Sequence, residues 1–204
     1  MKQPHLVFLL AFVPAFAQGQ TLDWLRQMYL SVPSNGIFIS TALAVDDQGH
    51  AAVIGTNGNL DQAYPGLGNL AWHVYASDGQ SIDSTVFPAK AGASDMVAYD
   101  GSFFIVGQYL DSLHFPGHPL LSTVGQIESI GHFICRMEAD GTVTWVKDAT
   151  GLGLGTLAAL AVGPGGTLYV ASVDQQNTLV ARLAPDGTLL DTWPMTGVGR
   201  ISDI

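Results

Sequence analysis

The chain has 204 residues, 48% apolar and only 12% charged, with 24 glycines, one cysteine and a formal net charge of −10 from 7 basic against 17 acidic residues. An acidic surface of this kind repels phosphate backbones and gives no attraction to anionic lipid, so nucleic-acid binding and adhesion to acidic membranes are excluded as first readings. Apolar and glycine content this high with so little charge suits tightly packed sheets joined by short turns and not a disordered chain.

In chain order, the first element is a short n-region, "MKQPH", followed by the apolar "LVFLLAFV" and by Ala15-Phe16-Ala17, an A-x-A cleavage pattern. This predicts a secretory signal peptide over residues 1–17, cut after Ala17. The apolar run falls far short of the about 20 residues that a spanning helix needs, and an uncleaved anchor is the second choice. The mature chain is therefore expected to be exported, secreted or at the cell surface, with no transmembrane segment after cleavage. Residues 18–36 hold "LDWLRQMYLS" (22–31), which reads as an isolated outer strand.

From residue 37 onward, alternating runs of four to eight residues are separated by Gly, Asp-Gly, Pro-Gly or Asn-Gly, the pattern of an all-β chain built from hairpins. Three units are expected. Residues 37–92 contain "TALAVD", "HAAVIGT", "LAWHVYA" and "SIDSTVF"; residues 93–153 contain "SDMVAY", "FFIVGQY", "HFICRME" and "TVTWVKD"; residues 154–200 contain "LAALAV", "TLYVASV", "TLVARLA" and "TLLDTWP". Asp78-Gly79, Asp140-Gly141 and Asp186-Gly187 each join the third run to the fourth, where Gly supplies the positive φ that a tight turn needs. The second and third units write nearly the same phrase, "FICRMEADGTVTW" and "LVARLAPDGTLLDTW". Self-similarity at a fixed period marks a repeat architecture. Insertions concentrate between the second and third strands, at 57–69 and 110–131.

Four antiparallel strands per unit make one blade of a β-propeller. "ISDI" at 201–204 looks like the start of a further blade, and Trp24 and Arg26 echo Trp145 and Lys147, so the 18–36 strand is expected to close the last blade. Three blades do not make a ring, because propellers have four or more. The sequence is accordingly expected to be part of a longer protein.

"GSFFIVGQYLDSLHFPGHPLLS…GHFICRMEADGTVTWVKDATG" resembles the bacterial β-propeller repeats called SBBP repeats. Phe133 to Met137 and Leu179 to Leu183 match that family's "FVAKL" segment, the Asp-Gly pairs its turn, Phe115 and Gly117 its "DFGG" segment, and Trp145 its terminal Trp. The first unit departs from the pattern, with Val74 where the others carry Arg. The resemblance implies an exported or surface-attached bacterial protein. It carries over no catalytic residue, because the family has no general catalytic set.

The residues that could carry chemistry are few. His114 and His118 flank "FPG", and Pro116 and Gly117 forbid the helix that would put both on one metal-binding face, so they read as loop histidines. His73 and His132 begin third strands and are expected at the surface or the rim. Asp46-Asp47-Gln48-Gly49 lacks the remaining oxygens of a calcium loop and reads as a turn. "GLGLG" at 151–155 has no following Lys-Ser/Thr and reads as a connection between blades. Cys135 alternates with Ile134 and Arg136 and reads as a small core residue, and no disulfide is available to it. Tyr169, Trp193, Trp145 and Phe104 read as core residues or as packing between blades.

Innermost strands line a propeller channel, and aligning their cores sets Thr41, Asp95, Ala158 and Asp203 at one level. Asp95, Asp203 and Thr41 are thus the candidate ligand-binding residues at the channel mouth. The competing reading has these carboxylates accepting backbone N–H groups at strand starts or between blades. No cofactor and no metal site is expected. The leading expectation is a binding or structural module that contacts a protein or a surface glycan and is not an enzyme. The alternative is a polysaccharide-cleaving lyase or hydrolase with its site at the mouth of the channel.

Overall fold

The structure, a computed structural model, describes residues 37–58, 66–123, 130–173 and 178–195. The expected signal peptide 1–17, the segment 18–36, the further blade at 201–204 and Asp203 lie outside the described residues. Among the described residues the chain is all-β, with two three-residue 3-10 turns (Thr150–Leu152 and Pro164–Gly166) and no α-helix. No helix there is long and apolar enough to cross a membrane.

Unit 1 comprises β1 (Ile37–Val45), β2 (Ala51–Gly58), β3 (Gly68–Tyr75) and the first half of β4 (Ser81–Tyr99). Unit 2 takes the second half of β4 and β5 (Ser102–Leu110). A small hairpin, β6 (Ser112–Leu113) with β7 (Leu121–Ser122), follows before β8 (Ile130–Glu138) and β9 (Val143–Asp148) complete the unit. Unit 3 is a separate four-stranded sheet of β10 (Thr156–Val162), β11 (Leu168–Val173), β12 (Thr178–Leu183) and β13 (Leu189–Met195). All pairing is antiparallel.

The boundary expected at 92/93 falls inside β4. This strand stays extended over 19 residues while its pairing passes from β3 (to Ala91) to β5 (from Lys90). Pro88 permits this, since it forces the preceding residue into the extended region and its missing N–H falls where the strand changes partners. Units 1 and 2 consequently form one seven-stranded sheet.

The three units repeat down to their irregularities. The first strand of each carries a bulge at the same place, leaving Thr41, Ser94 and Ala158 unpaired. The fourth strand of each carries another, at Ile82, Thr144 and Leu190. The turns before those fourth strands are also alike. Glu138 N–H donates to Thr142 O and Gly141 N–H to Glu138 O, and the same two bonds recur at Ala76/Gln80 and Ala184/Thr188. Each turn Asp accepts the N–H two residues on, at 2.9 Å for Asp78, 3.0 Å for Asp140 and 2.9 Å for Asp186. Those bonds favour the ionised form and hold the Asp140 and Asp186 carboxyls below the usual carboxylate range. The glycines that follow sit at φ of +80°, +79° and +77°, where a Cβ is strained.

Two apolar layers hold the stack together. One lies between units 1 and 2 and contains Ile54, Trp72, Val74, Met96, Phe103, Ile105, Phe133 and Cys135; the other lies between units 2 and 3 and contains Phe104, Val106, Ile134, Leu157, Leu160, Val170 and Leu183. Unit 2 is buried on both faces, which is why "FFIV" in β5 reads as a continuous apolar run and not as an alternation. Each large side chain so buried contributes about 1.5–3 kcal/mol. Phe115, from the insertion between β5 and β8, is also fully buried, edge-on to Phe87 (5.0 Å) and Phe133 (5.9 Å). That insertion is therefore anchored to the core.

Candidate functional site

The bulge on each first strand decides where the channel-mouth candidates fall. Thr41 and Ala158 are bulge residues whose counterpart in unit 2 is Ser94. Asp95 comes one residue later and is the counterpart of Ala42 and Ala159, which pair with β2 and β11 as Asp95 pairs with β5. The shared level drawn from the "ALAV" cores is thus displaced by one residue at Asp95, because a bulge adds a residue that alternation alone does not reveal. Thr41 is exposed, and its Oγ1 donates to Ile54 O at 3.3 Å.

Asp95 is half-buried, and its carboxylate bridges two units. Oδ1 accepts the Met96 N–H at 2.8 Å, and Oδ2 accepts the Leu160 N–H at 2.7 Å, across 65 residues of sequence. A carboxylate accepting two backbone donors is fixed in direction, and it ties β4 to β10. Its chemistry as placed is that of a clamp between sheets.

The histidines divide. His118 Nε2 donates to Val143 O at 2.7 Å and pins the insertion loop to β9, while His114 is exposed. His73, expected at the surface, is instead buried, because alternation in β3 turns Trp72 and Val74 toward unit 2 and His73 with Ala71 to the opposite, also buried side. Burial pushes its pKa below 6.5 against the opposing pull of Asp83. A folded-state pKa below the unfolded one means that the stability tied to neutral His73 is fully present above about pH 6.5 and is lost as pH falls from there through the folded value. Urea midpoints should accordingly drop between pH 7.5 and pH 5.5, and His73→Gln should flatten that slope.

Asp46 is occupied by its own turn, accepting the Gln48 and His50 N–H groups and His50 Nδ1 at 2.9, 2.7 and 2.8 Å. Cys135 is fully buried, and desolvation drives its thiol pKa strongly upward, away from reactive thiolate. Among the described residues no three His, Cys, Asp or Glu side chains are grouped to hold a metal ion.

The contacts between units form a repeated site of their own. A methyl placed on Gly187 would meet Trp145 and Lys147 Cε at 2.9 Å, and one on Gly141 would meet Asp83 and Thr85. The register makes Trp145 the counterpart of Asp83 and Lys147 that of Thr85. The Asp-Gly turns of units 2 and 3 therefore seat on the fourth strand of the unit before each. Trp145 strengthens its seat by donating Nε1–H to Pro185 O at 3.0 Å.

On unit 3 the outward row is open. Tyr169 stacks on Trp193 (6.5 Å, 17°), Arg182 lies 5.5 Å over the Trp193 ring and pairs with Asp191 at 2.8 Å, and Trp193 is 41% exposed. In unit 2 the counterpart arginine, Arg136, lies 5.6 Å over Phe104, which holds the place of Tyr169. The sequence reading of these aromatics as packing residues holds for Phe104, which is buried; it did not reveal that Trp193 faces outward. Comparison with protein-family models gives no match, and comparison with curated proteins gives none either.

Proposed function

We propose that the chain is part of an exported β-propeller, its blades the three units, that serves as a binding or structural module for a protein or a surface glycan. The observation that carries the reading is the placement of variation. The tight Asp-Gly turns repeat almost unchanged at one end of the units, whereas the connections between second and third strands, at the other end, differ in every unit. A repeated scaffold that varies one set of loops is the arrangement in which loops recognise and sheets support. The β6–β7 insertion is the largest of these, anchored by Phe115 and His118 and presenting Leu120 at 60% exposure. The resemblance to SBBP repeats and the signal-peptide pattern support an exported, bacterial setting. Asp95 serves in this reading as the inter-blade clamp.

The test uses the exported chain against immobilised surface polysaccharides and envelope proteins, with product release measured in parallel. Saturable binding that Leu120→Asp weakens at least about tenfold is expected, without new reducing or unsaturated ends. Asp95→Ala should lower stability by about 1–2 kcal/mol and leave binding intact. Turnover of a polysaccharide that Asp95→Ala abolishes at unchanged fold would establish the lyase or hydrolase instead.

A further inference from the structure

The outward side of unit 3 corresponds to the side that units 1 and 2 keep covered, and it is built differently. The centre of the covered side is bulky and apolar, with Ile54 beside Trp72 in unit 1 and Val106 beside Ile134 in unit 2, all fully buried. The same two places in unit 3 hold Ala171 and the half-buried Val180. The bulk stands to either side instead, as Tyr169 in the place of Phe104 and Trp193 in the place of Thr85 and Lys147. The seat for an Asp-Gly turn is altered too. Gly141 enters beside Thr85 and Gly187 beside Lys147, whereas unit 3 has an indole there with Arg182 5.5 Å over it. A face without central apolar volume, and with a ring in its seat, is poorly shaped for another sheet, which needs dense contact.

What this face presents is aromatic and polar-edged. The Tyr169 and Trp193 rings lie nearly parallel (17°), Trp193 is 41% exposed, and the paired Arg182 and Asp191 side chains are each 38% exposed. Their 2.8 Å bond uses one guanidinium nitrogen and one carboxylate oxygen, so both groups keep further donors and acceptors. We propose that this row binds a neutral glycan, with a pyranose ring laid on Trp193 and its hydroxyls on Arg182 and Asp191. A pyranose has apolar C–H faces and a rim of hydroxyls, and it meets its match in an open indole bordered by an arginine–carboxylate pair. Neutrality follows from charge. The chain carries a formal net charge of −10, and Arg182 is already paired with Asp191, so a uronate or phosphate finds no free cation in this row. The inference goes beyond the reading in which loops recognise the partner. It concerns a different face, so the two fail separately.

The test titrates the full chain by calorimetry with neutral hexasaccharides of β-1,4-linked glucose, mannose and N-acetylglucosamine. Saturable binding of at least one is expected, and Trp193→Ala and Asp191→Asn should each weaken it at least about tenfold. The melting temperature of Trp193→Ala should stay close to that of the parent, because Trp193 belongs to neither apolar layer. Val86→Ala, which alters an equally exposed apolar residue of unit 1 (42%), should leave the binding unchanged. No saturable binding of any of the sugars, or binding that Trp193→Ala leaves intact, would overturn the proposal. Sedimentation of the sugar-free chain separates the other occupant of such a face. Self-association that Trp193→Ala abolishes, with no sugar bound, would assign the row to a second copy of the chain and would overturn the glycan site.

Discussion

Trp72→Ala should destabilise the protein by about 3–5 kcal/mol, the largest effect expected of any single truncation. Trp72 is fully buried in β3 between units 1 and 2, with its ring edge-on to Phe103 at 5.3 Å. Both walls of the void left behind are sheets, whose backbones are fixed by hydrogen bonds and cannot collapse into it. For a chain of this size the loss corresponds to a fall in melting temperature on the order of 10 °C, readable by far-UV circular dichroism. Trp72→Phe should cost well under half as much. It retains the ring contact and removes an indole N–H that is buried without an acceptor, so part of the lost volume is offset by a polar group no longer desolvated. Equal effects of the two substitutions would show that unit 1 does not pack on unit 2 through this residue.

Gly107→Ala follows at about 3 kcal/mol by overpacking. The position lies opposite the bulge in β4, and a Cβ there would run into the Gly92 carbonyl oxygen and come within 2.7 Å of the Phe133 ring. The first obstacle is backbone and the second a fully buried side chain, so neither yields cheaply. Gly55 faces the same obstacle in unit 1, against Ile39 O and the Ser40 backbone. In unit 3 the equivalent residue is Ser172, where a Cβ is accommodated, and its buried hydroxyl has no hydrogen-bond partner. Ser172→Ala is therefore the matched control and should leave the urea midpoint close to the parent value. A silent Gly107→Ala would mean that the bulge of β4 is not held against β5 as described.

Much of this architecture is legible in the chain itself. Alternating runs, Asp-Gly turns and the echo of "FICRMEADGTVTW" in "LVARLAPDGTLLDTW" follow from local rules: a pleat of period two, and a turn that only glycine enters without strain. Those rules determine strands, hairpins and four-strand units from neighbouring residues alone, and they also account for Cys135 as a core residue. They could not decide whether "SIDSTVF" and "SDMVAY" are two strands or one, because that depends on which partner each residue finds across the sheet. Bulges escaped them for the same reason, and with the bulges the one-residue offset of Asp95 from Thr41 and Ala158. His73 and Trp193 were misplaced in opposite senses, one buried and one open, since each faces a side whose occupant is distant in sequence. What the sequence determined by itself is the repeating unit, because hairpin geometry is local. Tertiary structure alone decided that the Asp95 carboxylate reaches the Leu160 N–H and that the Asp-Gly turns of units 2 and 3 land on the fourth strand of the unit before, because those contacts join residues that only the packing of one sheet on the next brings together.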